Sequence, residues 1–239
     1  MATHAPSEGF SSVGYDEAMR RARALIPLLR EEAPASERAG CLTPAVMDAL
    51  HRSGLIRCLQ PRVWGGMELD LAAYFDIPEM ISRGDICAGW VLANLASHHR
   101  NLVWWPPRAQ AEVWGADPAA GVAAGVAFPQ GRGRRVDGGM MLTGEWSFSS
   151  GTDCSDWSML GCIVREEDKP IDWVYCLVHR DHYETVDDWQ VLGMRATGSK
   201  TVRCAEVFVP EHRVLSMHVA RPGHSWPGLA VHRNPQYRV

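Results

Sequence analysis

The sequence predicts an α+β protein with a helical domain over residues 1–117 and an antiparallel β-barrel or sandwich domain over residues 118–215. In the first 115 or so residues, apolar side chains recur at three- and four-residue spacing, which is the period of a helix face. After Asp117 the period becomes two, and glycine-rich turns separate runs rich in Val, Thr and aromatic residues. No long helix interrupts those runs, which argues against a parallel sheet built from βαβ units.

The helical domain contains recognisable start and stop signals. Residues 16–32 carry one apolar face and predict the first helix. Thr43 and Pro44 form a cap followed by a first-turn proline, and Gly54 stands where that second helix would end. A third helix is expected after Asp70, and Pro78 inside its pattern should kink or divide it.

The clearest helical stripe lies between residues 85 and 103, ending before Pro106. A short helix then runs to Trp114 and closes at Gly115. Because connections between these helices are short, we expect them to pack antiparallel. The stripe is formed by Val91, Leu95, His98 and Leu102.

Strands are expected near residues 121–128, 140–150, 156–164, 172–179 and 201–209. Residues 216–239 show no sustained period, and a segment of that length without regular structure is typical of a linker towards a further domain.

Composition excludes several classes of function. Hydrophobic residues make up 46% of the 239 residues and charged residues 22%, as in an ordinary globular protein. The net charge of −4 disfavours binding to nucleic acids or to anionic membrane surfaces. No signal peptide and no apolar run of membrane-spanning length are evident, and the seven scattered cysteines suggest reduced thiols, so we expect a cytoplasmic protein.

Short catalytic motifs are absent from the sequence. The run GRGRR at 131–135 is not a dinucleotide-binding glycine motif, and neither a nucleophile elbow nor a phosphate-binding loop occurs. His179 and His182 flank Asp181, but no third ligand lies near them in sequence, so no metal site is predicted.

Four longer stretches, taken in order, resemble the acyl-CoA dehydrogenase superfamily, and within it the oxygenase components of two-component flavin-dependent aromatic hydroxylases of the secosteroid phenol and 4-hydroxyphenylacetate type. The resemblance runs from about residue 42 to residue 214. The stretches are SGLIRCLQPRVWGGMELD (53–70), GWVLANLASHHRNLVWWPPRAQAEVWG (89–115), GEWSFSSGTDCSDWSMLG (144–161) and DDWQVLGMRATGSKTVRCAEVFVPEHRV (187–214).

The resemblance implies a monooxygenase that hydroxylates an aromatic or polycyclic phenol. Such proteins receive reduced FMN or FAD from a separate flavin reductase and react it with dioxygen through a C4a-(hydro)peroxyflavin. The cofactor then supplies the oxygen chemistry, while the protein supplies binding, orientation and exclusion of water. A homotetramer is expected for a full-length protein of this type.

The run Trp146-Ser147-Phe148-Ser149-Ser150-Gly151 carries the main cofactor prediction. In a strand, Trp146, Phe148 and Ser150 would share one face and the serines at 147 and 149 the other. Two serines on one face are also typical of a polar outer surface. The resemblance implies that Ser149 bonds near flavin N5 with Ser147 beside it, and Ser150 is the alternative if the register differs by one.

Other site residues also follow from the resemblance. His98 corresponds to the histidine that these hydroxylases keep beside the phenol, where it would orient or deprotonate the substrate hydroxyl, although a histidine on an apolar stripe can also be a core residue. His99 is expected to face solvent. The remaining candidates for flavin contact are Phe128, Trp146, Trp189, Arg195, Thr197 and Ser199.

Two alternative functions remain open from the sequence. One is an acyl-CoA dehydrogenase-like desaturase that uses oxidised FAD, and the other is a truncated, non-catalytic remnant that acts as an interaction module. Members of the family continue into a C-terminal helical bundle, which this 239-residue chain lacks, so we expect either a fragment or a chain that binds flavin weakly alone.

Overall fold

A computed structural model describes residues 9–167, 169–220 and 225–238. Within these residues, five helices come first and eight strands follow them. The helices end at Trp114 and the first strand begins at Val122, so the change from helix to strand falls where the sequence pattern changes. The helices are α1 (Tyr15–Ala39), α2 (Pro44–Ser53), α3 (Leu71–Ser82), α4 (Ile86–Leu102) and α5 (Pro107–Trp114).

Local signals account for most of the helix boundaries. The Thr43 hydroxyl accepts a hydrogen bond from the N–H of Val46 at the start of α2, and Gly54 ends the helix with a φ of 76°. At the start of α4, the Asp85 carboxylate accepts a hydrogen bond from the N–H of Cys87. These caps confirm the predicted ends of both helices.

Helix α3 runs through Pro78 without dividing, so of the two expected outcomes, a kink or a division, the division does not occur. A proline inside a helix costs about 3 kcal/mol. The helix nonetheless buries Ala73, Ile77, Met80 and Ile81 against α1 and α4, and burial of large apolar side chains is worth about 1.5–3 kcal/mol each. Packing of this apolar face therefore outweighs the lost hydrogen bond.

The strands form one mixed sheet rather than the predicted antiparallel barrel or sandwich. Strand order is β6-β7-β3-β2-β4-β5-β8, and β1 pairs with β4 beside this path. The barrel is not closed, since β6 and β8 lie at opposite ends of the path. The strands are β1 (Val122–Gly125), β2 (Gly131–Val136), β3 (Gly139–Trp146), β4 (Trp157–Glu166), β5 (Lys169–His179), β6 (Glu184–Val186), β7 (Thr201–Pro210) and β8 (Val214–Ser216).

Two pairings are parallel, which the prediction missed. Strand β4 pairs in parallel with β1 over residues 157–160 and with β2 over residues 162–164, and antiparallel with β5 along its whole length. Strands β1 and β2 therefore follow one another along a single edge of β4. This arrangement brings the end of β1 and the segment after it close to the end of β3.

The segment after residue 216 has no helix or strand among its described residues, only short 3-10 turns. It packs against the segments that follow α2 and α4, because the Tyr237 hydroxyl donates to the Leu59 carbonyl (3.1 Å) and the Trp104 indole donates to the Tyr237 carbonyl (3.0 Å). Residues 221–224 and Val239, which the predicted linker includes, lie outside the described residues.

Candidate functional site

A cavity of about 460 Å³ opens between α4 and the loops that follow β1 and β3. Ligand sites of small molecules have volumes of roughly 300–1,000 Å³, so the cavity has a suitable size. Its lining is mostly apolar with a few hydroxyl, amide and imidazole groups. The lining residues are Trp90, Asn94, His98, Ala124, Gly125, Val126, Ala127, Phe128, Gln130, Ser147, Phe148, Ser150, Trp189, Met194, Thr197 and Ser199.

His98 reaches this cavity from α4, as the helical stripe predicts. Its side chain is buried, and Nδ1 lies 2.7 Å from the carbonyl oxygen of Val122 on β1. A carbonyl can only accept, so Nδ1 carries the proton and Nε2 keeps a free lone pair. Burial lowers the pKa of His98 to about 4, against a smaller opposing effect of the Val122 carbonyl. The imidazole is therefore neutral at pH 7 and can accept a proton or a hydrogen bond at Nε2.

The next residue corrects the sequence prediction, because His99 is fully buried rather than solvated. Its ring lies nearly parallel to the Trp114 ring of α5, with the centroids 5.7 Å apart, and its Nδ1 accepts a hydrogen bond from the Trp114 indole (3.1 Å). Burial lowers the pKa of His99 to about 3, with a further contribution from the nearby charge of Arg57. Helix α4 is enclosed by the sheet, by α3 and by α5, so it has a wider buried surface than one stripe.

The serine run after β3 does not continue the strand. Strand β3 ends at Trp146, and Phe148 has a φ of 63°, which breaks the alternation of faces. Trp146 is consequently fully buried while Phe148 is 68% exposed, although a strand would place them on one face. Ser147 and Ser150 line the cavity, and Ser149 does not.

Ser149 is instead held inside the protein. Its hydroxyl donates to the Trp146 carbonyl (3.1 Å) and its N–H to the Lys200 carbonyl (3.1 Å). Of the two serines considered for contact with the cofactor N5, the geometry thus brings Ser150 to the cavity. The predicted role of Ser149 remains a prediction.

Ser150 belongs to a chain of hydrogen bonds along the cavity wall. The Trp90 indole donates to the Ser150 hydroxyl (3.0 Å), which lies 2.7 Å from the Ser199 hydroxyl. Ser199 lies 2.8 Å from the Thr197 hydroxyl, which donates to the Met194 carbonyl at 2.8 Å. Residues from α4, from the loop after β3 and from the loop before β7 are thereby joined at one place.

The loop before β7 brings Trp189, Thr197 and Ser199 to the cavity. Trp189 packs edge-on against Phe148 at 5.9 Å. Arg195 is not among the lining residues, and its Nε has no hydrogen-bond partner among the residues the structure describes.

Two further candidates differ in position. Phe128 lines the cavity and is 70% exposed at its mouth. Trp146 lies outside the cavity: it is fully buried, and its indole donates to the Gly161 carbonyl at 2.7 Å. A role for Trp146 in flavin contact would therefore be indirect, through the position of the serine run.

Sequence analysis missed several lining residues. Trp90 and Asn94 precede His98 at four-residue spacing, so they lie on the same side of α4, and that spacing was a usable signal. The position of Phe148 depends on its left-handed backbone conformation, for which the sequence offers no signal.

No helix within residues 9–167, 169–220 and 225–238 is long and apolar enough to cross a membrane. The same part of the chain contains no cluster of three or more His, Cys, Asp or Glu side chains that could hold a metal ion.

No protein-family model matches the chain, but individual relatives do. The chain is 38% identical over 221 residues to the flavin-dependent monooxygenase oxygenase subunit HsaA of Rhodococcus jostii strain RHA1, covering 92% of this chain and 57% of that protein. It is 33% identical to the oxygenase component of an FADH₂-dependent resorcinol hydroxylase of a Rhizobium strain, covering 87% and 51%.

Solved structures give the same result. The crystal structure of the 3-HSA hydroxylase from Rhodococcus sp. RHA1 superposes with a TM-score of 0.90 at 37% identity, covering 93% of this chain and 57% of that one. The chain thus spans a little over half the length of these relatives. In sequence and in fold, it is a homologue of the oxygenase components of flavin-dependent monooxygenases.

Proposed function

We propose that this chain forms part of the oxygenase component of a two-component flavin-dependent monooxygenase that hydroxylates an aromatic or polycyclic phenol. The observation that carries the proposal is one cavity in which a neutral histidine, a row of hydroxyls and several aromatic side chains converge. Homology to a resorcinol hydroxylase and to HsaA supports the same activity. It favours hydroxylation over an acyl-CoA dehydrogenase-like desaturation and over a non-catalytic role.

The residues of the cavity fit a flavin ring. Trp90, Phe128, Phe148 and Trp189 offer aromatic surface for a flat, largely apolar ring system, and the Ser147 and Ser150 hydroxyls offer polar contacts at its edge. Bound there as reduced FMN or FAD, the cofactor would supply the reaction with dioxygen. A separate reductase would deliver it. We also propose that the chain belongs to the acyl-CoA dehydrogenase superfamily and forms part of a homotetrameric protein.

His98 would act on the hydroxyl of the phenol. Its Nε2 lone pair is the proton acceptor, because the Val122 carbonyl holds the proton on Nδ1. A phenol with a pKa near 10 retains its proton against an imidazole whose pKa is about 4. His98 therefore orients the bound phenol through a hydrogen bond. It accepts the hydroxyl proton only during hydroxylation, when the phenol ring loses electron density and its hydroxyl becomes more acidic.

The cavity is shielded from water along only part of its wall. His98 and Ser150 are buried, whereas Phe128 and Phe148 are 70% and 68% exposed. In this chain, exclusion of water from the reacting groups would depend on the bound ligands and on the two phenylalanine rings.

Anaerobic titration with reduced FMN and reduced FAD tests the proposal. Trp90 and Trp189 line the cavity, so saturable quenching of tryptophan fluorescence is expected, and Trp189→Phe should remove part of that signal without abolishing binding. Absence of binding by either reduced flavin would refute a flavin site in this chain.

The role of His98 needs a second measurement. We expect the flavin-loaded protein to bind resorcinol, and His98→Ala to weaken this binding by about tenfold, the effect of one lost hydrogen bond in a buried site. His98→Ala should leave the affinity for flavin alone nearly unchanged. Equal resorcinol affinity in the variant and the unmodified protein would contradict the role of His98.

A further inference from the structure

The hydrogen-bond chain along the cavity wall has fixed groups at both ends. It begins at the indole N–H of Trp90, which can only donate, and it ends at the carbonyl of Met194, which can only accept. Between them lie the three hydroxyls of Ser150, Ser199 and Thr197, each with one proton. All four hydrogen bonds form together in one direction only, with every hydroxyl donating towards Met194.

The direction of these hydrogen bonds determines whether the wall presents donors or acceptors to a ligand in the cavity. Each of the three hydroxyl protons is already used within the chain, and each oxygen retains one free lone pair. The Ser150, Thr197 and Ser199 side chains are 7%, 2% and 5% exposed, so bulk water does not readily compensate for a broken bond. Towards the cavity, the hydroxyl chain is therefore a row of acceptors.

We propose that this hydroxyl chain makes the site select reduced over oxidised flavin, with Thr197 and Ser199 as positioning residues that act through Ser150. The inference rests on the proposed function, because it assumes that the flavin ring occupies the cavity with its N5 beside Ser150. A reduced flavin carries a proton on N5, whereas N5 of an oxidised flavin is a bare acceptor. Only the reduced ring matches the acceptor that Ser150 presents.

Counting hydrogen bonds gives the size of the preference. With a reduced ring, N5–H donates to Ser150 and the four existing bonds stay intact, which makes five. With an oxidised ring, a bond from Ser150 to N5 uses the proton that Ser150 gives to Ser199. Either that bond breaks, or Ser199 and Thr197 reverse and the bond from Thr197 to the Met194 carbonyl is lost, and four hydrogen bonds remain in both cases. One net hydrogen bond changes an affinity ratio by about two- to tenfold.

The hydrogen bonds to the Met194 carbonyl determine what a reversal of the chain would cost. Its carbonyl also accepts longer hydrogen bonds from the Trp189 indole (3.3 Å) and from the N–H of Thr197 (3.2 Å). The Thr197 hydroxyl at 2.8 Å is the shortest of the three donors, so reversal removes the strongest of these bonds. For a two-electron couple, a tenfold ratio corresponds to a shift of the bound flavin's midpoint potential of about 30 mV.

The test compares dissociation constants for reduced and oxidised FMN, and for FAD, in three variants of the whole chain. Thr197→Val and Ser199→Ala interrupt the chain, so Ser150 can turn towards either form of N5, and the ratio should fall by about two- to tenfold. Thr197→Ser keeps the hydroxyl and should keep the ratio. Circular dichroism and thermal melting establish that each variant folds.

The outcomes separate this inference from the proposed function. If both interrupted variants keep the ratio of the unmodified chain, the hydroxyl chain does not set the preference and the inference is overturned. If Thr197→Ser loses the ratio as fully as Thr197→Val, loss of the hydroxyl is not the cause, which also overturns it. If neither redox form binds to the unmodified chain, the flavin site itself fails and the inference fails with it.

Discussion

Two adjacent buried histidines should make the folded protein sensitive to mild acid. Burial lowers the pKa of His98 to about 4 and that of His99 to about 3, whereas both would titrate near 6.5 in the unfolded chain. Below pH 6.5 the unfolded chain therefore binds protons that the folded protein does not. Because stability rises with pH wherever the unfolded state binds more protons, the free energy of unfolding must fall as pH decreases from 7.

The magnitude follows from those pKa values. For a group with a pKa of 6.5 unfolded and about 4 folded, lowering the pH from 7 to 5 removes about 2 kcal/mol of stability. His99 contributes a similar amount over the same interval. The loss continues below pH 5 until each folded pKa is passed, near pH 4 for His98 and near pH 3 for His99.

Urea unfolding at pH 7, 6 and 5 measures this effect. His98→Gln and His99→Gln should each reduce the loss between pH 7 and pH 5 by about 2 kcal/mol relative to the unmodified protein. Other titrating groups contribute equally to all of these proteins and cancel in the comparison. His182→Gln is the matched control for the substitution itself, because it replaces an exposed histidine. A His98→Gln variant with the full acid sensitivity of the unmodified protein would refute the argument.

Two further predictions concern the attachment of the C-terminal segment to the helices. A methyl group at Gly228 would lie 1.8 Å from the Val103 carbonyl oxygen, so Gly228→Ala should lower the free energy of unfolding by about 2 kcal/mol or more. The control is Gly193→Ala, which has open space around it and should be nearly neutral in thermal unfolding. Gln110→Leu should lower the free energy of unfolding in urea by about 2–4 kcal/mol, because it removes the acceptor for His232 Nε2 (2.7 Å) and the donor to the Val103 carbonyl. An unchanged urea midpoint would contradict a stabilising role of these hydrogen bonds.

Most of the helical part could be predicted from the sequence because its signals are local. A capping threonine, a first-turn proline and a terminal glycine are read within one or two turns of α2, and the structure has all three where expected. The solvated position expected for His99 was wrong for a reason that is not local. Trp114, fifteen residues later, covers the side of α4 that the periodicity assigned to solvent.

Strand β2 illustrates what sequence patterns miss in the sheet. Its glycines at 131 and 133 were interpreted as punctuation between strands. In the structure a methyl group at Gly131 would lie 2.2 Å from the Trp146 ring, and one at Gly133 would lie 2.4 Å from the Met140 sulfur. The glycines are therefore required by large side chains that pack on this strand, and only the tertiary structure reveals those neighbours.

The sequence predicts which segments form the candidate site but not how their side chains are oriented, because the walls of the site lie where regular secondary structure is interrupted. Phe148 and Met194 both have positive φ values, 63° and 58°; Phe148 lies two residues before Ser150, which begins the hydroxyl part of the wall, and Met194 lies three residues before Thr197, which ends it. Such conformations cost about 1–3 kcal/mol in a residue other than glycine and persist only where the surroundings impose them. Here the surroundings are the buried Trp146 ring before one interruption and strand β7 after the other. The two interruptions lie in the segments that bring the Ser150 and Ser199 hydroxyls within 2.7 Å of each other, so the polarity of the cavity wall depends on backbone geometry as well as on side-chain identity.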